Sequence, residues 1–177
     1  FPTGERGFST LCADGSMFTY VLNSDGSVQS AERSEIFIDI DADPIFAKNA
    51  EVAGITYFPS YKGRIQPIDF RGTTAVILDD WQFVPDHLQA ENWRASGWQV
   101  IAASETELFV VMAPDVEEGS HKSGGSEVWV LDPEAQKLAR RIELPEGGLS
   151  ITVTRSDPSY LVVTNGNMAL DVFDTQS

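Results

Sequence analysis

Two stretches, ELFVVM at 107–112 and SEVWVLDPEAQKLARRIEL at 126–144, decide the fold. Each opens on branched and aromatic residues, and the second turns after Asp132 and resumes as an alternating run, so together they read as three antiparallel strands. The phrase recurs. A middle strand closes on an apolar residue followed by Asp or Asn at Leu22-Asn23, Ile68-Asp69, Leu131-Asp132 and Phe173-Asp174. The strands before these are FSTLC at 8–12, ITYFP at 55–59, LFVVM at 108–112 and YLVVT at 160–164. In three copies Asp14-Gly15, Lys62-Gly63 or Asn165-Gly166 stands between the strands, and such pairs accept the positive φ of a two-residue hairpin turn. The third copy replaces its turn with an insertion at 113–125. A unit repeated about every 40 to 65 residues has the period of a four-stranded propeller blade. The chain is therefore predicted to be all-β, a β-propeller segment of three to four partial blades.

The blades are placed near 1–35, 36–78, 98–144 and 149–177, with insertions at 79–97 and 113–125. Residues 1–7 carry no strand pattern, so the first blade is expected to start on its second strand. The connection at 36–52 reads as irregular and is expected to hold a weak innermost strand. DHLQAENWRASG at 86–97 is expected to form a short surface helix capped by Asp86, after which an innermost strand resumes over 98–103. The last blade stops without an outermost strand. Four partial blades do not close a ring, and an open propeller leaves edge strands that invite association. The expectation is a fragment of a larger propeller, or the ordered part of one.

The 177 residues are 42% hydrophobic and 22% charged, enough for one unit with a sizeable core. Twelve basic residues against 27 acidic ones give a formal charge of -15, which repels phosphate backbones and argues against nucleic acid as a partner. No apolar run approaches the ~18 residues of a membrane span. The single cysteine, Cys12, reads either as a buried free thiol or as half of a disulfide whose partner lies outside this segment.

Asp39, Asp41 and Asp43 have the first spacings of a calcium loop, but Pro44 occupies the position that needs Gly and Ala50 the position of the bidentate Glu, leaving a solvated loop. His87 and His121 lie in separate insertions with no ligand at a recognisable metal spacing. No nucleophile elbow, zinc-protease, phosphate-loop or dinucleotide motif occurs, so no catalytic, cofactor-binding or metal residue is assigned. The aromatics carry more. Trp81, Trp93 and Trp98 fall within or beside one insertion with Arg94 between two of them, the composition of protein interfaces and ligand mouths. Trp98 and Trp129 also sit in strand patterns that would fill the space between blades.

At these residues the chain resembles the C-terminal half of the large subunit of the quinoprotein amine dehydrogenases, the methylamine and aromatic amine dehydrogenases. The likeness is carried by Cys12-Ala13-Asp14-Gly15-Ser16, Ser60-Tyr61-Lys62-Gly63, Asn92-Trp93-Arg94, Gly97-Trp98-Gln99, Glu118-Gly119-Ser120-His121-Lys122 and Glu127-Val128-Trp129-Val130-Leu131-Asp132. Its His121-Lys122 loop looks closer to the aromatic amine branch. It departs at Ala95-Ser96, where the family usually has Pro-Gly. The resemblance implies about half of a seven-bladed propeller, in a periplasmic heterotetramer that oxidises a primary amine to aldehyde and ammonia. In that family the redox group is a tryptophan tryptophylquinone on a small disulfide-rich subunit, and electrons pass to a blue-copper protein. The large subunit holds no cofactor and supplies scaffold, substrate channel and docking surface. By that likeness Trp93, Arg94, Trp98, His121 and Lys122 are candidates to face the small subunit, and Cys12 to pair with a cysteine outside this segment. Trp93 and Trp98 are not the quinone pair, which lies on the other subunit. The competing expectations are a propeller used only for binding and the propeller subunit of a haem-containing amine dehydrogenase.

Overall fold

The computed structural model describes residues 1–116 and 122–176, and within them the strands form four antiparallel sheets. The first holds β1 (Pro2–Thr3), β2 (Gly7–Leu11), β3 (Met17–Leu22) and β4 (Val28–Arg33), side by side in chain order. The second repeats that order with β5 (Ala50–Val52), β6 (Ile55–Pro59), β7 (Arg64–Asp69) and β8 (Val76–Ile77), and β9 (Trp81–Gln82) pairs with the start of β7. A four-residue helix, α1 (Asp86–Gln89), then precedes the third sheet. There β10 (Arg94–Ala95) and β11 (Ile101–Ala103) both pair with β12 (Leu108–Ala113), followed by β13 (Gly125–Asp132) and β14 (Lys137–Gly148). The fourth holds β15 (Ser150–Val153), β16 (Tyr160–Thr164) and β17 (Leu170–Asp174). The innermost strands β5, β11 and β15 are neighbours, with β11 between the other two. This is the partial β-propeller that the recurrent phrase predicts.

Burial explains the two hydrophobic patterns. Every residue of β12 is buried, because blades pack on both faces of a middle strand, so an uninterrupted apolar run is required there. The outer β14 alternates between half-buried and exposed residues, and all of β4 is exposed. The main core runs from Trp81, Phe83 and Val84 of the second blade's edge through Phe109, Val111, Trp129 and Leu131 to Ile151, Leu161 and Val163. A smaller cluster around Met17, Phe58, Ile68 and Phe70 joins the first two blades, and Phe1 stacks on it.

Several local expectations are corrected. The three hairpins at Asp14-Gly15, Lys62-Gly63 and Asn165-Gly166 do not use two-residue turns. Cys12 N–H donates to Ser16 O and Gly15 N–H to Cys12 O, with φ at Gly15 of 85°. That is a three-residue loop whose last residue is left-handed. Residues 23–27, 60–64 and 165–169 repeat the same two hydrogen bonds, with Gly26, Gly63 and Met168 in the left-handed slot. In the fourth blade Gly166 is therefore not the critical residue. Residues 1–7 do form an inner strand: β1 pairs with Gly7 and Phe8, and Ser9 N–H donates to Phe1 O. The helix starts after Pro85, with no side-chain cap, so Asp86 lies in its first turn instead. The inner strand of the third blade begins at Ile101, leaving Trp98 outside it. The third blade's outer strand continues past Leu144 to Gly148, where Gly125 pairs with it.

Candidate functional site

In a meandering blade the turn between second and third strands emerges at the same end as the connection to the next blade. The connection at 36–49, the loop at 60–63, the insertion at 79–100 and the described ends of the β12–β13 connection, 114–116 and 122–124, therefore share one face. They enclose a cleft of about 1010 Å³. Its lining runs from Ile40 to Ala42 and from Pro44 to Lys48, then Tyr61, Lys62, Asn92, Arg94, Gly97 and Trp98, with Val116 and Lys122 at its edge.

Of the five candidate residues, three line this cleft. Arg94 and Ala95 pair with Ala113 and Met112 at the end of β12, and strand alternation sends neighbouring side chains to opposite faces. Trp93 accordingly turns inward and is 5% exposed, while Arg94 faces the cleft. The Arg94 guanidinium sits 5.8 Å from the Tyr61 ring centroid and donates to the Trp93 carbonyl at 2.9 Å. Trp98 is 61% exposed, and the Lys122 ammonium lies 5.2 Å from its ring centroid. The Trp98 backbone is tied down from the next blade, its N–H donating to Leu149 O at 2.7 Å. His121 lies outside the described residues. Cys12 is a half-buried free thiol just beyond β2.

Beneath the cleft Trp93 joins a compact cluster. Its ring lies 5.2 Å from that of the fully buried Trp129, and the Arg141 guanidinium caps both rings at 4.8 and 5.1 Å. Glu127 accepts two hydrogen bonds from Arg141, both at 2.6 Å, and one from the Trp129 indole at 2.7 Å. The hydrogen bonds that Arg141 donates to Glu127 raise the Arg141 pKa against the opposing effect of burial. Trp129 thus fills the space between blades and Trp98 does not.

The loop at 39–43 is not simply solvated. Asp43 is buried; it accepts Lys62 N–H at 2.7 Å and Arg64 Nε at 2.8 Å, and Arg64 also reaches Asp80. Burial opposes the Arg64 charge, but Asp43 and Asp80 outweigh it and raise the pKa. Asp39 caps its own turn by accepting the N–H groups of Asp41 and Ala42. This network anchors the Tyr61–Lys62 loop to the floor of the cleft. Among the described residues no group of three His, Cys, Asp or Glu is placed to hold a metal.

Tyr61, Lys62 and Lys48 were not singled out individually from sequence. Tyr61 N–H donates to Pro44 O and Tyr61 O accepts Ala95 N–H, so it joins two distant connections. The sequence signal for Tyr61 and Lys62 was the Ser60-Tyr61-Lys62-Gly63 phrase, and Lys48 had none.

The family model for the methylamine dehydrogenase heavy chain (MADH) matches residues 1–177. The methylamine dehydrogenase heavy chain of Methylophilus methylotrophus is 29% identical over 180 residues, covering 98% of this chain and 44% of the relative. That of Methylorubrum extorquens is 26% identical over 183 residues, covering 100% of this chain and 44% of the relative. The chain thus spans less than half the length of these relatives. Among solved structures, the WD40 domain of Neurospora crassa Pan2 superposes with a TM-score of 0.62 at 13% identity, covering 98% of this chain and 47% of that one, a likeness of fold alone. With a family model matched from its first residue to its last, the chain belongs to the methylamine dehydrogenase heavy chain family.

Proposed function

We propose that this chain is part of the non-catalytic large subunit of a periplasmic amine dehydrogenase. The enzyme oxidises primary amines to aldehyde and ammonia at a tryptophan tryptophylquinone on a separate small subunit and passes the electrons to a blue-copper protein. The observation that carries the reading is the family match across all 177 residues. The cleft face supports it, because Arg94, Trp98 and Lys122 gather there with exposed aromatic area and cationic hydrogen-bond donors. Such groups suit a polypeptide interface better than bond-making chemistry. The quinone is built from the partner's side chains and supplies the oxidising chemistry, so this chain's part is to seat that partner and shape the approach of the amine. Within this reading Trp93 acts from behind the surface, holding Arg94 in place, and Cys12 pairs with a cysteine elsewhere in the full-length subunit. No helix among the described residues is long and apolar enough to cross a membrane.

The test is purification of the full-length protein from its native source. The expected result is a second, smaller polypeptide and a visible quinone absorbance bleached by a primary amine. A homogeneous, colourless preparation of one kind of chain would sink the proposal.

A further inference from the structure

Among the described residues the cleft reverses the electrostatic sign of the chain. Across the sequence acidic residues outnumber basic ones 27 to 12, yet the described lining contains Lys48, Lys62, Arg94 and Lys122 against the carboxylate of Asp41. The pairing pattern sharpens this. The ion pairs among the described residues use five arginines, Arg33, Arg64, Arg71, Arg140 and Arg141. Of the chain's seven other basic residues, four line this one cleft, including three of the four lysines. Lys122 and Arg94 rest on the faces of Trp98 and Tyr61, contacts that position a cation without neutralising it. Like charges held on one wall are a standing repulsion that an anionic occupant relieves. Between them lie Ile40, Ile45, Phe46 and Trp98, so the surface offers apolar area beside the charge. A small inorganic anion would leave that area uncovered, and a cleft of about 1010 Å³ admits a stretch of polypeptide.

We infer that this cleft docks an acidic segment of a partner polypeptide, its carboxylates meeting Lys48, Lys62, Arg94 and Lys122 and its apolar side chains covering Trp98. Resting on the functional reading above, the segment belongs to the quinone-bearing small subunit. Charge complementarity of this kind sets on-rate and partner choice and weakens steeply with salt.

The experiment measures binding of the full-length large subunit to that small subunit at low and high NaCl. It compares the Lys62→Glu/Lys122→Glu double variant with Lys137→Glu/Arg155→Glu, which changes the net charge equally at exposed positions outside the cleft. The expected result is affinity lowered about tenfold or more by salt and by the cleft variant, with the control unchanged. All three proteins should melt alike, since Lys62 and Lys122 make no side-chain hydrogen bond to another described residue. An amine-bleachable complex that forms equally well with the cleft variant overturns the inference and leaves the functional reading standing. A large subunit that takes up no quinone-bearing partner, yet binds poly-glutamate through Lys62 and Lys122, sinks the functional reading and keeps the cleft's preference. Competition by inorganic phosphate alone at comparable occupancy would reassign the site to small anions.

Discussion

At the scale of single residues, burial decides which ion pairs matter. Asp43 has a side chain 11% exposed and holds both a backbone N–H and the Arg64 guanidinium, whereas Arg33 and Asp14 are both close to half exposed. Asp43→Ala should cost about 2 kcal/mol in urea unfolding of the full-length protein, because a charged hydrogen bond is lost and buried donors are stranded. Arg33→Ala should cost less than about 0.5 kcal/mol, because water already screens that pair; equal costs would refute the distinction. Asp69 gives a pH signature. Hydrogen bonds from the Arg71 side chain and backbone pull its carboxyl from 3.8 to about 2. A carboxyl lowered in the folded state contributes stability above its unfolded pKa and loses it as pH falls toward the folded one. Asp69→Asn should therefore flatten part of the decline in melting temperature between about pH 4 and 2 relative to the parent.

Elements are joined by one loop design used repeatedly, and its left-handed slot is the sensitive point. Gly15 and Gly26 have nearly the same φ, 85° and 83°, but a Cβ on Gly15 would overlap the Ile38 carbonyl oxygen while one on Gly26 meets open space. Gly26→Ala should cost about 1 kcal/mol, the price of the left-handed conformation, and Gly15→Ala clearly more. Met168 fills the same slot at φ 61° with its side chain in solvent. Met168→Gly should stabilise by about 0.5 kcal/mol, the relief of left-handed strain less the added freedom of the unfolded chain. A fall in melting temperature for that variant would refute the loop assignment. The Asp-Gly and Lys-Gly pairs were legible in sequence as turns. The loop length was not, because it depends on which strand residues pair across the hairpin, and that register is set by burial on both blade faces.

For the molecule as a whole, the cleft exists only because blades pack. Trp129 joins the second blade's Phe83 to the insertion's Trp93, and Arg94, the next residue, opens the two-residue strand β10. Trp129→Ala should cost about 3–5 kcal/mol and speed hydrogen exchange at Arg94 and Ala95 in the full-length protein. Trp98→Ala should leave both nearly unchanged, since its ring lies mostly in solvent; matching effects would contradict the assignment of core and surface. The repeated strand phrases alone determined the all-β partial propeller, since a residue that must be buried on both faces has few chemical options and leaves its mark locally. Family likeness was equally legible, carried by short blocks such as Asn92-Trp93-Arg94. Only the tertiary structure decided that Trp93 faces inward and Trp98 outward, and that Lys48, Lys62, Arg94 and Lys122 meet in one cleft. Those residues come from four connections far apart in the chain, and exposure and charge grouping are properties of the assembled face that no local pattern encodes.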